Sequence, residues 1–169
     1  MLITENYLEL NKQLHEINPA YGISGQKYVD EVLSLAEHIK PETILDYGCG
    51  KGTFKARFMF PDIVKEYDPA IPGKDGPPEP ADLVICTDVL EHIEPDCLDD
   101  VLADISRLTK KAAYLVVATY PARKTLPDGR NAHLIQRKSD FWDAAVKKHF
   151  EEISVLGDTR GNIYYLVKK

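Results

Sequence analysis

Apolar positions recur along this chain in two rhythms, and the points where one gives way to the other outline its elements. Residues 5–17 carry Leu8, Leu10, Leu14 and Ile17 in an otherwise polar run, which predicts a first helix with those four as its apolar positions. NPAYGISG at 18–25 is dense in helix breakers and reads as a loop. Val29, Val32, Leu33, Leu35, Ala36 and Ile39 return at near-helical spacing, so a second helix is expected over 26–39, stopped by Pro41. Residues 43–47 are a short, mostly apolar run expected as a buried strand, and a helix is expected over 51–60. Two further strands are read at 63–67 and 82–87. A helix follows at 95–109, with Leu98, Val101, Leu102, Ile105 and Leu108 along one face, then an apolar strand at 112–119. A helix over 139–149 and strands at 152–156 and 162–167 complete the pattern.

Strands alternating with helices predict a parallel sheet covered on both faces. GDTRGN at 157–162 is short enough to join the last two strands as a hairpin, which makes at least one C-terminal edge strand antiparallel. The expected architecture is therefore one α/β domain with a doubly wound, mostly parallel sheet. Residues 1–40 read as an N-terminal helical cap and 41–169 as the core. IPGKDGPPEP at 71–80 holds four prolines and two glycines, so the element between 69 and 81 is expected to be reduced. The length of 169 residues suits one domain, and no internal repeat divides it.

Chemistry enters at ILDYGCGKGTF, residues 44–54, where Gly48, Gly50 and Gly52 follow the first strand directly. A glycine turn there lies at the ligand end of an open α/β sheet. The spacing is GxGxG, neither the GxGxxG of dinucleotide sites nor the GxxxxGK[ST] of a P-loop. Backbone at Gly48 and Gly50 admits a ligand where a Cβ would block it. Asp68, at the end of the second strand, is placed to take both hydroxyls of a ribose, and Asp46 to meet an ammonium. A nucleoside that carries an amino acid and no phosphate fits this set, as S-adenosylmethionine does.

DYGCGKG at 46–52, EYDP at 66–69 and ADLVICTDVLEHI at 81–93, in that order and each at a predicted strand end, resemble class I S-adenosylmethionine-dependent methyltransferases. The resemblance runs from about residue 20 to the C-terminus and implies a Rossmann-like fold. It implies that Asp46, Gly48 and Gly50 meet the methionine part of the cofactor, that Asp68 binds the ribose hydroxyls, and that Cys49 and Pro69 belong to the cofactor site. Thr87 and Asp88 would lie beside the methionine near the sulfonium, while Tyr21, Gly22 and Gln26 close over from the N-terminal side. The chain departs from the family between Asp68 and Asp82, which leaves its adenine pocket undefined.

Other roles compete at several positions. Asp68 also suits a turn or N-cap before Pro69, and Asp88 a cap on the segment after it. Glu66, two residues before Asp68, is expected on the same side of the strand and competes for the ribose. For the acceptor, His92 in VLEHI and His133 in the loop PARKTLPDGRNAH can each accept a proton from an attacking hydroxyl or amine. His15, His38 and His149 are expected on helix surfaces. The same loop carries Arg123, Lys124 and Arg130, a basic set that suits an anionic acceptor such as a nucleotide or sugar nucleotide.

The totals narrow the field. A net charge of -6 disfavours nucleic acid, whose phosphates need a basic face. Cys49, Cys86 and Cys97 are odd in number and lack CxxC spacing, so zinc ribbons, clusters and disulfide frameworks are unsupported and a cytoplasmic chain of reduced thiols is expected. No apolar run approaches ~20 residues, so no membrane span is expected. No metal is called for. The sequence thus reads as a methyltransferase for a small-molecule, nucleotide or sugar-type acceptor. An inactive S-adenosylmethionine-binding regulatory or partner protein is the alternative.

Overall fold

The computed structural model describes residues 1–159 and 161–169. Helix α1 (Glu5–Ile17) is started by Thr4, whose side chain accepts from the Tyr7 amide. Its buried face runs through Tyr7, Asn11 and Leu14, while Ile17 is 70% exposed. Tyr7 and Asn11 displace the expected leucine stripe because they meet polar groups further along the chain. A 3₁₀ turn at Ser24–Tyr28 precedes α2 (Val29–Ile39), so that helix starts later than its apolar spacing suggests. It ends on Lys40, held at φ 48° just before Pro41.

Strands β1 (Ile44–Tyr47), β2 (Val64–Tyr67), β3 (Ala81–Thr87) and β4 (Thr109–Ala118) pair in parallel in the order β2-β1-β3-β4. Helix α3 (Thr53–Arg57) is a short piece between β1 and β2. Helix α4 (Leu98–Leu108) buries all five of its predicted apolar positions. Helix α5 (Ser139–Lys147) stops before His149, which turns its Nε2 to Asp99 at 3.0 Å. Strands β5 (Glu152–Thr159) and β6 (Asn162–Lys168) pair antiparallel, and β6 inserts between β4 and β5. The reversed strand is therefore β6, one in from the edge. Arg160, in their connection, lies outside the described residues.

Apolar side chains fill both faces of the sheet. Leu45, Val84, Leu115 and Tyr165 pack with α4 and α5 on one face, and Ile44, Leu83, Tyr114 and Val116 with α2 and α3 on the other. Between β2 and β3 the described residues hold no helix or strand, and the chain returns through turns such as Asp68 to Ile71 and Ile71 to Lys74. Proline supplies no ladder donor, so this stretch cannot add a strand and β2 is left as the sheet edge.

Candidate active site

The C-terminal ends of β1, β3 and β4, with the turn after β2, open into one cavity of about 700 Å³, closed opposite by α1 and the loop after it. Every residue that the sequence singled out for cofactor or acceptor lines it, Glu66 and Arg130 excepted. Glu66 turns instead to Lys74, with 3.0 Å between Nζ and Oε1. Strand β2 ends at Tyr67, so the alternation that put Glu66 and Asp68 on one side does not reach Asp68.

Backbone amides build the glycine turn. Gly48 and Cys49 both donate to the Tyr67 carbonyl, at 2.8 and 3.0 Å, and Gly50 donates to Asp68 Oδ2 at 2.9 Å. Lys51 donates to the Gly22 carbonyl at 2.8 Å. Gly48 has φ 78° and Gly50 φ 51°, a region that side chains resist. A Cβ on Gly50 would stand 2.5 Å from the Gly22 oxygen, and one on Gly48 2.5 Å from Val89 Cγ2. What first approaches these glycines is thus the protein's own chain, and the turn is tied to the loop that lids it.

The acids around the turn differ in state. Asp46 is 3% exposed, and its Oδ2 has no hydrogen-bond partner among the described residues. Burial first, then the charge of Glu66, pushes its pKa up to about 8. Asp68 is anchored: Oδ2 accepts from Gly50, and Oδ1 accepts from the Ala70 amide at 2.9 Å. It holds the turn as expected of a turn acid, and each oxygen keeps a lone pair for the cavity. Burial pushes the Cys49 thiol far up, so it is inert.

Asp88 takes φ 54°, one of two described non-glycine residues at positive φ. Its Oδ1 accepts from the Tyr28 hydroxyl at 2.6 Å, and Lys27 Nζ lies 3.8 Å from Oδ2. The 3₁₀ turn Leu90–His92 has no side-chain cap among the described residues, so Asp88 faces the cavity and does not cap it. Thr87 closes β3 beside it, buried. Tyr21 donates to Asn11 Oδ1 at 3.0 Å and packs its ring on His15 at 4.6 Å. His15 is therefore a cavity residue, contrary to its expected surface place, because the loop at 18–25 folds back over α1.

His92 and His133, which also line the cavity, meet edge to face, their centroids 4.7 Å apart. His133 Nδ1 lies 2.6 Å from the Tyr120 carbonyl, so it carries the proton and leaves Nε2 with its lone pair, 4.0 Å from Glu91 Oε1. Burial, with the His133 ring second, lowers the His92 pKa to about 3, and burial lowers that of His133 as well. Glu91, fully buried, accepts from the Ala118 amide at 3.2 Å through Oε1. Burial and then Asp88 raise its pKa well above the carboxylate range. Sequence reading passed over Glu91. The signal was present: an acid next to a histidine in the otherwise apolar stretch VLEHI, just past a strand end.

The loop after β4 is ordered by one side chain. Asn131 accepts from the Ala122 and His133 amides, each at 2.9 Å, and donates to the Ala122 carbonyl at 2.9 Å. Arg123 and Lys124 line the cavity, while Arg130 pairs with Asp128 at 2.7 Å away from it.

A Rossmann-like sheet with a glycine turn and acids at its ligand end is the architecture of class I methyltransferases. Residues 21–156 match a family model described as a methyltransferase domain, and the chain belongs to that family of S-adenosylmethionine-dependent enzymes. Among solved structures it is similar to the 1,6-didemethyltoxoflavin-N1-methyltransferase of Burkholderia thailandensis, crystallised with that compound and S-adenosylhomocysteine. The identity is 15% and the TM-score 0.63, over 99% of this chain and 89% of that one. An O-methyltransferase family protein of the same organism matches at 13% identity and TM-score 0.66, over 99% of this chain and 63% of that one. The magnesium protoporphyrin IX methyltransferase of Synechocystis PCC 6803, also with bound S-adenosylhomocysteine, matches at 16% and 0.54, over 85% and 83%. A comparison with curated protein sequences found no match. Among the described residues no helix is long and apolar enough to cross a membrane.

Proposed function

We propose that this protein moves the methyl group of S-adenosylmethionine to a hydroxyl or amine of a small, negatively charged acceptor of nucleotide or sugar type. The observation that carries this is that one cavity is lined both by Asp46, Gly48, Gly50 and Asp68 and by His92 and His133. Asp68 takes the ribose hydroxyls, with Pro69 beside it. Asp46, unpartnered in part, takes the methionine ammonium, whose charge would draw its proton off. Cys49 and Gly50 pack along the methionine chain, Thr87 and Asp88 flank the sulfonium, and Tyr21 covers it as part of the 1–40 cap. Lys27, Arg123 and Lys124 at the mouth supply positive charge for the acceptor in a chain of net charge -6. Three unpaired, buried cysteines support a cytoplasmic setting.

The transfer is an in-line displacement. An acceptor lone pair bonds to the methyl carbon, the carbon–sulfur bond breaks, and its electrons stay on sulfur as a neutral thioether. Positioning contributes most of the acceleration, because sulfonium is already a good leaving group. The two imidazoles stand where the acceptor's proton must be lost. An inactive binder is the weaker reading, since it has no use for two imidazoles at the acceptor end. The test is transfer of labelled methyl to a panel of hydroxyl- and amine-bearing sugars, nucleotides and heteroaromatic anions. Label on an acceptor that wild type modifies and His133→Ala does not supports the proposal. Tight S-adenosylhomocysteine binding with no transfer to any acceptor favours the inactive binder.

A further inference from the structure

We infer that Glu91, His92 and His133 form a binding site for one divalent transition-metal ion, which holds the acceptor's hydroxyl at the methyl end of the cavity. The role of the ion rests on the methyl-transfer reading above, whereas its binding site does not.

One ligand atom from each of the three residues lies within 4.8 Å of the others. A four-coordinate ion with bonds of ~2.0–2.1 Å spaces its ligands by roughly 3.3 Å, so small side-chain rotations bring the three into range. Two of the side chains have open valences: Glu91 Oε2 and His92 Nδ1 are buried and have no hydrogen-bond partner among the described residues. A buried carboxylate with one oxygen lacking a donor is costly, and a cation bound to this carboxylate, whose Oε1 lies 4.0 Å from His133 Nε2, offsets that cost. The third ligand is already oriented. The Tyr120 carbonyl takes the Nδ1 proton of His133, which fixes the tautomer that offers Nε2. Such an outer carbonyl is the usual companion of a metal-binding imidazole. Glu91 is steadied by the Ala118 amide, which donates to Oε1.

The donor set identifies the kind of ion. Two imidazoles and one carboxylate suit zinc, cobalt, iron or manganese, whereas magnesium and calcium favour all-oxygen shells. Three protein ligands leave at least one position open, the arrangement of a catalytic site and not a structural one. All three residues line the cavity that also holds Thr87 and Asp88, so the open position faces the acceptor. There the ion lowers the pKa of a bound hydroxyl. The hydroxyl proton leaves to water. The oxygen's lone pair then forms the O–CH3 bond as the S–CH3 pair passes to sulfur, giving methyl ether and S-adenosylhomocysteine. An oxygen acceptor, with a second donor atom able to chelate, is the class that this site selects.

The test uses the full chain stripped with a chelator, dialysed, and titrated with Zn²⁺ by calorimetry and with Co²⁺ by visible absorption; Mg²⁺ serves as the oxygen-preferring control. The expected result is one Zn²⁺ or Co²⁺ per chain, tighter than Mg²⁺, with a tetrahedral or five-coordinate cobalt spectrum. His133→Ala and Glu91→Gln should weaken that binding at least about tenfold, the loss of one ligand. Circular dichroism of the same samples reports folding, and S-adenosylhomocysteine titration separates the two proposals. Wild type and variants that bind S-adenosylhomocysteine but take up no Zn²⁺ or Co²⁺, or bind it equally, overturn the metal site alone. Site-specific uptake without S-adenosylhomocysteine binding would overturn the methyl-transfer reading and leave the metal site standing. If Glu91→Gln fails to fold, His133→Ala, in the loop after β4 and outside the helices and strands, decides by itself.

Discussion

The two ends of the cavity are made in different ways. The glycine turn is backbone: its amides reach the Tyr67 carbonyl, the Asp68 carboxylate and, through Lys51, the Gly22 carbonyl. Of the buried side-chain nitrogens and oxygens there, Asp46 Oδ2 and His15 Nδ1 have no described partner. The histidine end is side chain: Glu91 and His92 follow β3, His133 arrives from the loop after β4, and Glu91 Oε2 and His92 Nδ1 have no described partner. A site made of backbone is held by the fold whether or not a ligand is present. A site made of unpaired side chains waits for something to bind. The first end therefore reads as the place for a fixed, common cofactor, and the second as the place where the chemistry of this particular enzyme is set.

The largest effect that would test this contrast is Gly50→Ala. The new methyl would stand 2.5 Å from the Gly22 oxygen at φ 51°, so the lid loop must move. A loss of about 2–4 kcal/mol in stability is expected, with S-adenosylhomocysteine affinity down about 100-fold. Thermal melts and calorimetry would show both. At the other end, His133→Ala should lower kcat by about 100-fold while cofactor affinity stays near wild type; steady-state kinetics beside calorimetry checks the split. A fall in cofactor affinity as large as the fall in kcat would erase the distinction between the ends.

Smaller and dependent on pH is Asp46→Asn. The Asp46 pKa is raised in the fold from 3.8 to about 8, so the folded ligand-free protein keeps a proton that the unfolded chain releases. Its contribution to stability is complete below pH 3.8, declines as pH rises, and is lost through about pH 8. The amide introduced by Asp46→Asn cannot titrate. The stability of that variant relative to wild type should therefore climb between those pH values and level off above, as chemical denaturation across pH would show.

The division also explains what was legible in the chain. The glycines, Asp68, Thr87 and Asp88 sit at strand ends, and strand ends follow from apolar runs and breakers. Helix α4 was equally plain, because its five leucine, valine and isoleucine positions share one face. Local pattern misled wherever a distant segment decided the outcome. Ile17 points to solvent because Tyr7 and Asn11 are drawn into the cavity wall. His15 is covered by the loop at 18–25, seen in its contact with Tyr21. Glu66 is captured by Lys74, which the proline-rich connection brings alongside. Glu91 and His133 lie 42 positions apart in the sequence, and no periodicity joins them. Their meeting depends on Asn131 shaping the loop after β4.

The most direct test of the account is calorimetric titration of S-adenosylmethionine and S-adenosylhomocysteine into wild type and Asp68→Ala. The account predicts one cofactor per wild-type chain, and binding weakened about 10- to 100-fold in the variant. Part of that loss comes from the Gly50 and Ala70 amides that Asp68 now holds. Wild-type protein that is folded yet binds neither compound would contradict it.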